Sequence, residues 1–191
     1  MTKHFLFLDI ETTGLDPDHD SILEIAWAFT DENFVVQGVP FTAIVDHADK
    51  WGKAWNDLKH APQVVRDMHN KSGLLGDLLN DEVTSAQEYE IRNLLQREIR
   101  EHKKAAAVDV HLAGFSVHFD ESFLRASKTG WGNVLDSLHH RHYDLSVIKI
   151  HLELRGEVYK KAENLGAHRA LNDVFESIEQ ARIFSRTVGL L

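Results

Sequence analysis

The periodicity of apolar positions changes along this chain, and the changes mark its elements. Residues 4–11, His-Phe-Leu-Phe-Leu-Asp-Ile-Glu, carry an apolar run that ends in two acids. A short run of that kind, bounded by turn residues, predicts a strand buried on both faces. Residues 21–30 repeat the pattern with Ile22, Leu23, Ile25, Ala26, Trp27 and Phe29. Thr30-Asp31-Glu32-Asn33 supplies turn chemistry, and residues 34–45 return as a third strand, so the chain opens as a meander. Residues 46–61, with Asp46, Asp49, Lys50, Trp51, Gly52 and Trp55, follow neither period and read as irregular. Pro62 suits the first turn of a short helix over 63–69. Lys71-Ser72-Gly73 breaks that helix, and 74–79 adds another turn or two. Thr84-Ser85-Ala86-Gln87-Glu88 has the form of a capping box. Ile91, Leu94, Leu95 and Ile99 then recur at helical spacing to residue 104. The opposite side of that helix is dense in Lys, Arg and Glu and reads as a solvated face rather than a nucleic-acid patch.

A strand over 105–115, a helix over 120–127 and a short helical piece over 131–138 follow. His139-His140-Arg141-His142-Tyr143-Asp144 leads into a helix over 145–154, closed by Arg155-Gly156. The last helix runs from 170 to 186, with Val174, Ile178, Ala181 and Ile183 or Phe184 inward. There is no internal repeat, low-complexity segment or linker. The order β-β-β-α-α-β-α-α-α, taken from periodicity alone, gives an α/β or α+β chain. Its 191 residues predict one domain, 1–191, able to bury a full core.

Candidate chemistry starts at the end of the first strand. Residues i and i+2 of a strand share a face, so Asp9 and Glu11 present two carboxylates side by side. In an apolar setting such a pair repels itself unless a cation lies between the groups. Strand ends are also where α/β sheets build their sites. Glu24, inside the second strand, reads as an edge or solvent-facing acid. Further acids stand downstream in Gly114-Phe115-Ser116-Val117-His118-Phe119-Asp120 and in His168-Arg169-Ala170-Leu171-Asn172-Asp173. Together with Asp9-Ile10-Glu11-Thr12-Thr13-Gly14, and in this order, these segments resemble the three motifs of the 3′–5′ exonuclease superfamily with four acidic ligands and a catalytic histidine. The resemblance implies a ribonuclease-H-like α/β fold, a mixed sheet flanked by helices.

Asp9, Glu11, Asp120 and Asp173 form an all-oxygen set, which suits Mg²⁺ or Mn²⁺ rather than Zn²⁺. Two such ions about 4 Å apart can stabilise both the attacking and the leaving oxygen of an in-line displacement at phosphorus. Asp9, deepest on the strand, is the natural bridging ligand, and Glu11 serves the ion near the attacking water. Asp120 and Asp173 approach from two helices. His168 is the general base, with an ordinary pKa near 6.5 suited to neutral pH. Five residues of ideal helix leave His168 and Asp173 about 140° apart. His168 is therefore expected in the loop before the last helix, after a break at Gly166.

Within that superfamily the chain is most similar to the oligoribonucleases. Met68-His69-Asn70-Lys71-Ser72-Gly73-Leu74 resembles their His-x-x-Ser-Gly-Leu segment, and residues 139–149 resemble the segment after their second motif. The resemblance implies that Leu15 is a wedge between two bases. It also implies that Ser116, His69 and Arg141 cap a 5′ phosphate, an end stop that restricts the substrate to dinucleotides or nearly so. A homodimer is implied as well, with His140 where the family has a tyrosine reaching across. The family's base-stacking tryptophan has no counterpart at Pro62-Gln63-Val64, which leaves Trp51 or Trp55 for that role. Thr12-Thr13 is equally at home in proofreading exonucleases, so a general single-strand DNA or RNA 3′–5′ exonuclease is the alternative. A catalytically silent binding module would have lost a ligand, and none is lost. A metalloprotein built on His139, His140 and His142 lacks a helical i, i+4 pair.

The net charge of −9 argues against gripping long duplex through many phosphate contacts, but not against a nuclease for very short single-stranded RNA. With no Cys there is no disulfide framework or thiolate metal site. No apolar run reaches the roughly 18 residues of a membrane span, and the start lacks a signal-peptide pattern. A cytoplasmic location follows as the default.

Overall fold

The first strand sets the sheet. In the computed structural model, which describes residues 2–46, 53–80, 82–83, 85–126, 131–157 and 168–187, β1 spans Lys3–Thr12 and is buried on both faces. β2 (Ile22–Thr30) and β3 (Val36–Asp46) complete an antiparallel meander with it. On its other side β1 pairs in parallel with β5 (Asp109–Gly114), and β6 (His139–Asp144) extends the sheet in parallel beyond β5. A three-residue strand, β4 (Ser85–Gln87), pairs in parallel with β3, giving the order β4-β3-β2-β1-β5-β6.

Strand parity divides the core. Leu6, Leu8 and Ile10 point to the face covered by α4 (Glu88–Ala106), where Ile91, Leu95 and Ile99 pack beside Trp27 and Phe29. α5 (Val117–Ala126) and α6 (Gly132–Leu135) close the same side with Phe123, Leu124, Val134 and Leu135. Phe5 and Phe7 point to the opposite face. There α7 (Leu145–Leu154) contributes Leu145 and Leu152, and α8 (Ala170–Thr187) contributes Val174, Ile178, Ala181 and Phe184. Ala26 and Ala28 face α8 as well, and their small side chains let the helix lie close to β2. Asp9 and Glu11 continue the odd-numbered series and therefore emerge on the α8 face.

The predicted mixed sheet flanked by helices is observed, with local differences. Residues 53–60, expected to be irregular, form α1 (Lys53–His60). Its apolar spacing, Ala54, Leu58 and Ala61, is short, and Leu58 packs with Ala61, Leu23, Ile44 and Leu74. α2 (Gln63–Lys71) and α3 (Leu74–Leu79) follow as expected. The capping box lies three residues later than predicted, because residues 85–87 are drawn into β4. Gln87 is the N-cap, and Glu90 accepts its backbone N–H at 3.1 Å. β6 was not expected, since its polar residues mask any alternation. Trp51 and Gly166, together with the side chain of Trp55, lie outside the described residues.

α4 runs to Ala106, so β5 starts later than the expected residue 105. Ala107 ends the helix in the left-handed region at φ 52° and ψ 47°, a conformation that costs an L-residue but not glycine. Ala107→Gly is expected to raise stability by about 0.5–1 kcal/mol, read as a higher chemical-denaturation midpoint at unchanged slope.

Candidate active site at the end of the first strand

β1 and β5 run in parallel, so their carboxyl ends lie side by side, and α5 begins just beyond the end of β5. Asp120 stands in the first turn of α5 and Asp173 in the first turn of α8. A helix N-terminus favours negative charge, which suits both acids. The backbone N–H of Ile10 donates to Asp120 Oδ1 at 3.1 Å, tying α5 to the strand between Asp9 and Glu11. His168 precedes α8, exposed, with φ +66°, an uncommon conformation for a residue with a side chain. It is in the loop where the spacing to Asp173 required it. Ligand atoms of Glu11, His168 and Asp173 lie within 4.8 Å of one another.

Burial, and after it repulsion between neighbouring carboxylates, disfavours charge on the acids of the site. Burial pushes the Asp9 carboxyl well above its usual range, and Asp120, Asp173, Glu11 and Glu24 push it further. Glu11, only 6% exposed, is raised to about 8 by burial, then by Asp173 and Glu24. Asp120 is raised to about 7, mainly by burial, against the lowering effect of hydrogen bonds from backbone N–H groups including that of Ile10. A divalent cation relieves this repulsion, and clustered carboxylate oxygens are the ligands that hard divalent cations take. The groups present therefore fit a metal centre.

The expected substrate residues are held separately. Leu15 tips the loop after β1 and is 81% exposed. That loop closes on Asp20, which accepts from Thr13 Oγ1 and from the Asp16 N–H at 2.9 Å each. A Cβ at Gly14 would overlap the Asp20 carboxylate and force it from its hydrogen bonds to Thr13 and Asp16. Leu15, Pro17, Pro62, Val64 and Val65 line a groove of about 510 Å³. His69 is fully buried on α2. Its Nε2 donates to the Thr12 carbonyl at 2.8 Å, and its Nδ1, 3.9 Å from Glu11 Oε2, has no hydrogen-bond partner. Burial lowers its pKa, against the raising effect of its bond to the Thr12 carbonyl. Ser116, at φ +51°, donates its N–H to Asp144 Oδ1 and Ser146 Oγ, and the two serine hydroxyls are 3.0 Å apart. Arg141 and His140 are exposed on the edge strand β6. No hydrogen bond joins Ser116, His69 and Arg141 among the described residues.

Glu24 is a correction. It was expected at an edge or facing solvent, yet it is 3% exposed on the interior strand β2, directly across from Glu11. Arg169 stabilises it there, with Nη2 at 2.8 Å from Glu24 Oε1. The small residues Ala26 and Ala28, at the same parity as Glu24, were the available signal that this face meets a helix. Ser146, whose hydroxyl meets that of Ser116, was also missed, because a serine in a helix's first turn reads as ordinary capping.

Comparison with known proteins agrees with this geometry. Residues 6–181 match the exonuclease (RNase T) family, and the chain belongs to that family. Its relatives include an oligoribonuclease of Chromobacterium violaceum, 32% identical over 192 residues, covering 96% of this chain and 94% of the relative. A Streptomyces coelicolor oligoribonuclease is 31% identical, covering 98% and 88%. A probable oligoribonuclease of Dictyostelium discoideum is 32% identical, covering 98% and 91%. Among solved structures, the zinc-bound Escherichia coli exonuclease I complex with single-stranded DNA superimposes with a TM-score of 0.70 at 18% identity. That match covers 98% of this chain but 41% of the larger protein, and at this identity it establishes the shared fold.

A carboxyl group with a raised pKa binds more protons folded than unfolded, so its contribution falls as pH rises. For Glu11 and Asp120 that window lies between about pH 4, the ordinary carboxylate value, and their folded values of about 8 and 7. The metal-free protein is expected to lose thermal stability as pH rises from 5.5 to 8.5. Mg²⁺ should raise its melting temperature more at pH 8 than at pH 6, and Glu11→Gln should flatten the metal-free profile. Melts in chelator and in Mg²⁺ across that range check all three.

Proposed function

We propose that this chain is a 3′–5′ exoribonuclease acting on short oligoribonucleotides, dinucleotides especially, and releasing 5′-mononucleotides. The observation that carries the reading is the convergence of Asp9, Glu11, Asp120 and Asp173 with His168 at the end of β1. The identity of about 30% to oligoribonucleases across most of both chains supports it.

The four carboxylates would hold two Mg²⁺ or Mn²⁺ ions, which supply positive charge to offset that of the phosphodiester and its transition state. His168 takes the proton of the attacking water and, being exposed, passes it to solvent. The water oxygen bonds to phosphorus as the P–O3′ bond breaks, releasing a 5′-mononucleotide and leaving a 3′-hydroxyl. Leu15 and Val64 face the groove as apolar surfaces for the bases. Leu15 acts as the wedge, and Val64 lies where a stacking aromatic is lacking. Ser116, His69 and Arg141 form the end stop at the 5′ phosphate, with the Ser146 hydroxyl joining Ser116. With its Nε2–H committed to the Thr12 carbonyl, His69 can donate to that phosphate from Nδ1 only as the imidazolium.

The enzyme acts in the cytoplasm as a homodimer, with His140 beside the partner's substrate. Val147, Ile150 and Leu154 form an exposed apolar stripe along α7, and β6, the strand that leads into α7, ends the sheet. A second copy placed two-fold against that surface covers both.

End-labelled RNA of two, five and twenty nucleotides, with matching DNA, tests the activity in Mg²⁺ and Mn²⁺. The RNA dinucleotide should disappear at least about tenfold faster than the twenty-mer, the value of one or two charged hydrogen bonds at the end stop. Asp173→Ala should lower the rate by about 10³-fold or more. Equal shortening of the twenty-mer would identify a general 3′–5′ exonuclease instead. Ile150→Glu is expected to shift the protein from dimer to monomer in sedimentation, with secondary structure retained. A wild-type monomer would reject the α7 interface.

A further inference from the structure

Glu24 has no place in the chemistry described, yet it is one of the most enclosed charges in the molecule. It stands opposite Glu11 in the β1–β2 ladder, on the same face of the sheet. Like charges directly opposite across a ladder destabilise it, so Glu24 needs a compensating cation. Arg169 supplies one: its Nε lies 3.2 Å from both Glu24 oxygens and its Nη2 2.8 Å from Oε1. Glu24 Oε2 also accepts the Ala170 backbone N–H at 2.9 Å. The arginine's other terminal nitrogen, Nη1, meets Asp77 Oδ2 of α3 at 2.8 Å.

The two residues bound by Glu24 are the two that follow His168. His168 itself is exposed and holds φ +66°, a conformation that persists only where the surroundings enforce it. Its ring nevertheless lies with Glu11 and Asp173, and no other hydrogen bond of its own fixes it among the described residues. We propose that Glu24 is a positioning residue for His168: through Arg169 and the Ala170 N–H it anchors the loop to β2 and sets the imidazole against the Glu11 and Asp173 carboxylates. Asp77 extends the clasp to the α2–α3 segment, which also carries His69. A bidentate carboxylate–guanidinium pair is directional and strong when largely buried, so it can hold a loop that would otherwise relax out of the left-handed region.

This inference rests on His168 being the general base, and the test separates the two ideas. Glu24→Gln keeps the size of the side chain and removes its charge. Together with His168→Ala and the double variant, it is assayed on the RNA dinucleotide in saturating Mg²⁺. Glu24→Gln should lower kcat about 10–100-fold with KM changed less than about threefold, as for loss of a group that orients a functional side chain. In the His168→Ala background the same substitution should cost less than about twofold, because the residue it positions is gone. Amide exchange at Ala170 in the metal-free protein should accelerate in Glu24→Gln by more than exchange at the β1–β2 ladder amides, as local rather than global loosening requires. An undiminished loss in the double variant, a loss carried by KM, or wild-type kcat in Glu24→Gln would overturn the positioning role while leaving the nuclease reading intact. Full activity in His168→Ala would overturn the general-base assignment itself, and the positioning role with it.

Discussion

Electrostatic repulsion at the end of β1 governs how the rest of the molecule is arranged. Asp9, Glu11, Glu24, Asp120 and Asp173 all act on one another there, and most are removed from bulk water. Charges brought together in a medium of low dielectric cost far more than the same charges in water. The fold offsets that cost in several ways. The first turns of α5 and α8 put helix N-termini beside Asp120 and Asp173. The Ile10 N–H serves Asp120, and Arg169 neutralises Glu24. What remains unmet holds the Glu11 and Asp120 carboxyls up at about 8 and about 7, through burial first and neighbouring acids second, a penalty that a divalent cation would relieve.

The geometry depends on strand parity as much as on charge. β1 is buried on both faces, so burial alone would tolerate either orientation of its side chains. The register with β2 decides it, pairing Asp9 with Ala26 and Glu11 with Glu24. A slip of one residue would turn both acids toward α4, away from α8 and Asp173. The irregularity between Glu11 and Thr12 ends the regular ladder immediately after the second acid. From there the chain turns into the loop that carries Leu15, so one strand delivers both the carboxylates and the apolar tip beside them.

Much of this was legible from the residues. The runs in β1 and β2 are long and apolar, the α4 repeat is regular, and α7 ends where Gly156 ends it. The place of His168 followed from the turn angle of a helix. Other parts depend on partners far along the chain. Residues 53–60 form a helix because Leu58 has Leu23, Ile44 and Leu74 to pack against, which local pattern cannot reveal. β6 is a strand because β5 is there to pair with it, whatever its own polarity. Glu24 misled because an acid inside a strand is normally turned to water. Its partner Arg169 lies 145 positions away, and no spacing rule connects them.

The charge of the whole chain gives the site its physical logic. A protein with 30 acids and 21 Lys and Arg residues repels a polyanion over most of its surface. Affinity for a nucleic acid cannot then be built by adding phosphate contacts along a strand, the usual source of non-specific binding. On the proposed reading it comes instead from cations held at the carboxylates, from apolar contact with bases at Leu15 and Val64, and from donors at one terminal phosphate. Each of these is local, and none strengthens as the strand lengthens. Every further nucleotide instead brings another phosphate toward an acidic surface. The proposed preference for short substrates is thus consistent with placing this catalytic arrangement on an acidic fold, and the proposed end stop would sharpen a limit that the charge already favours.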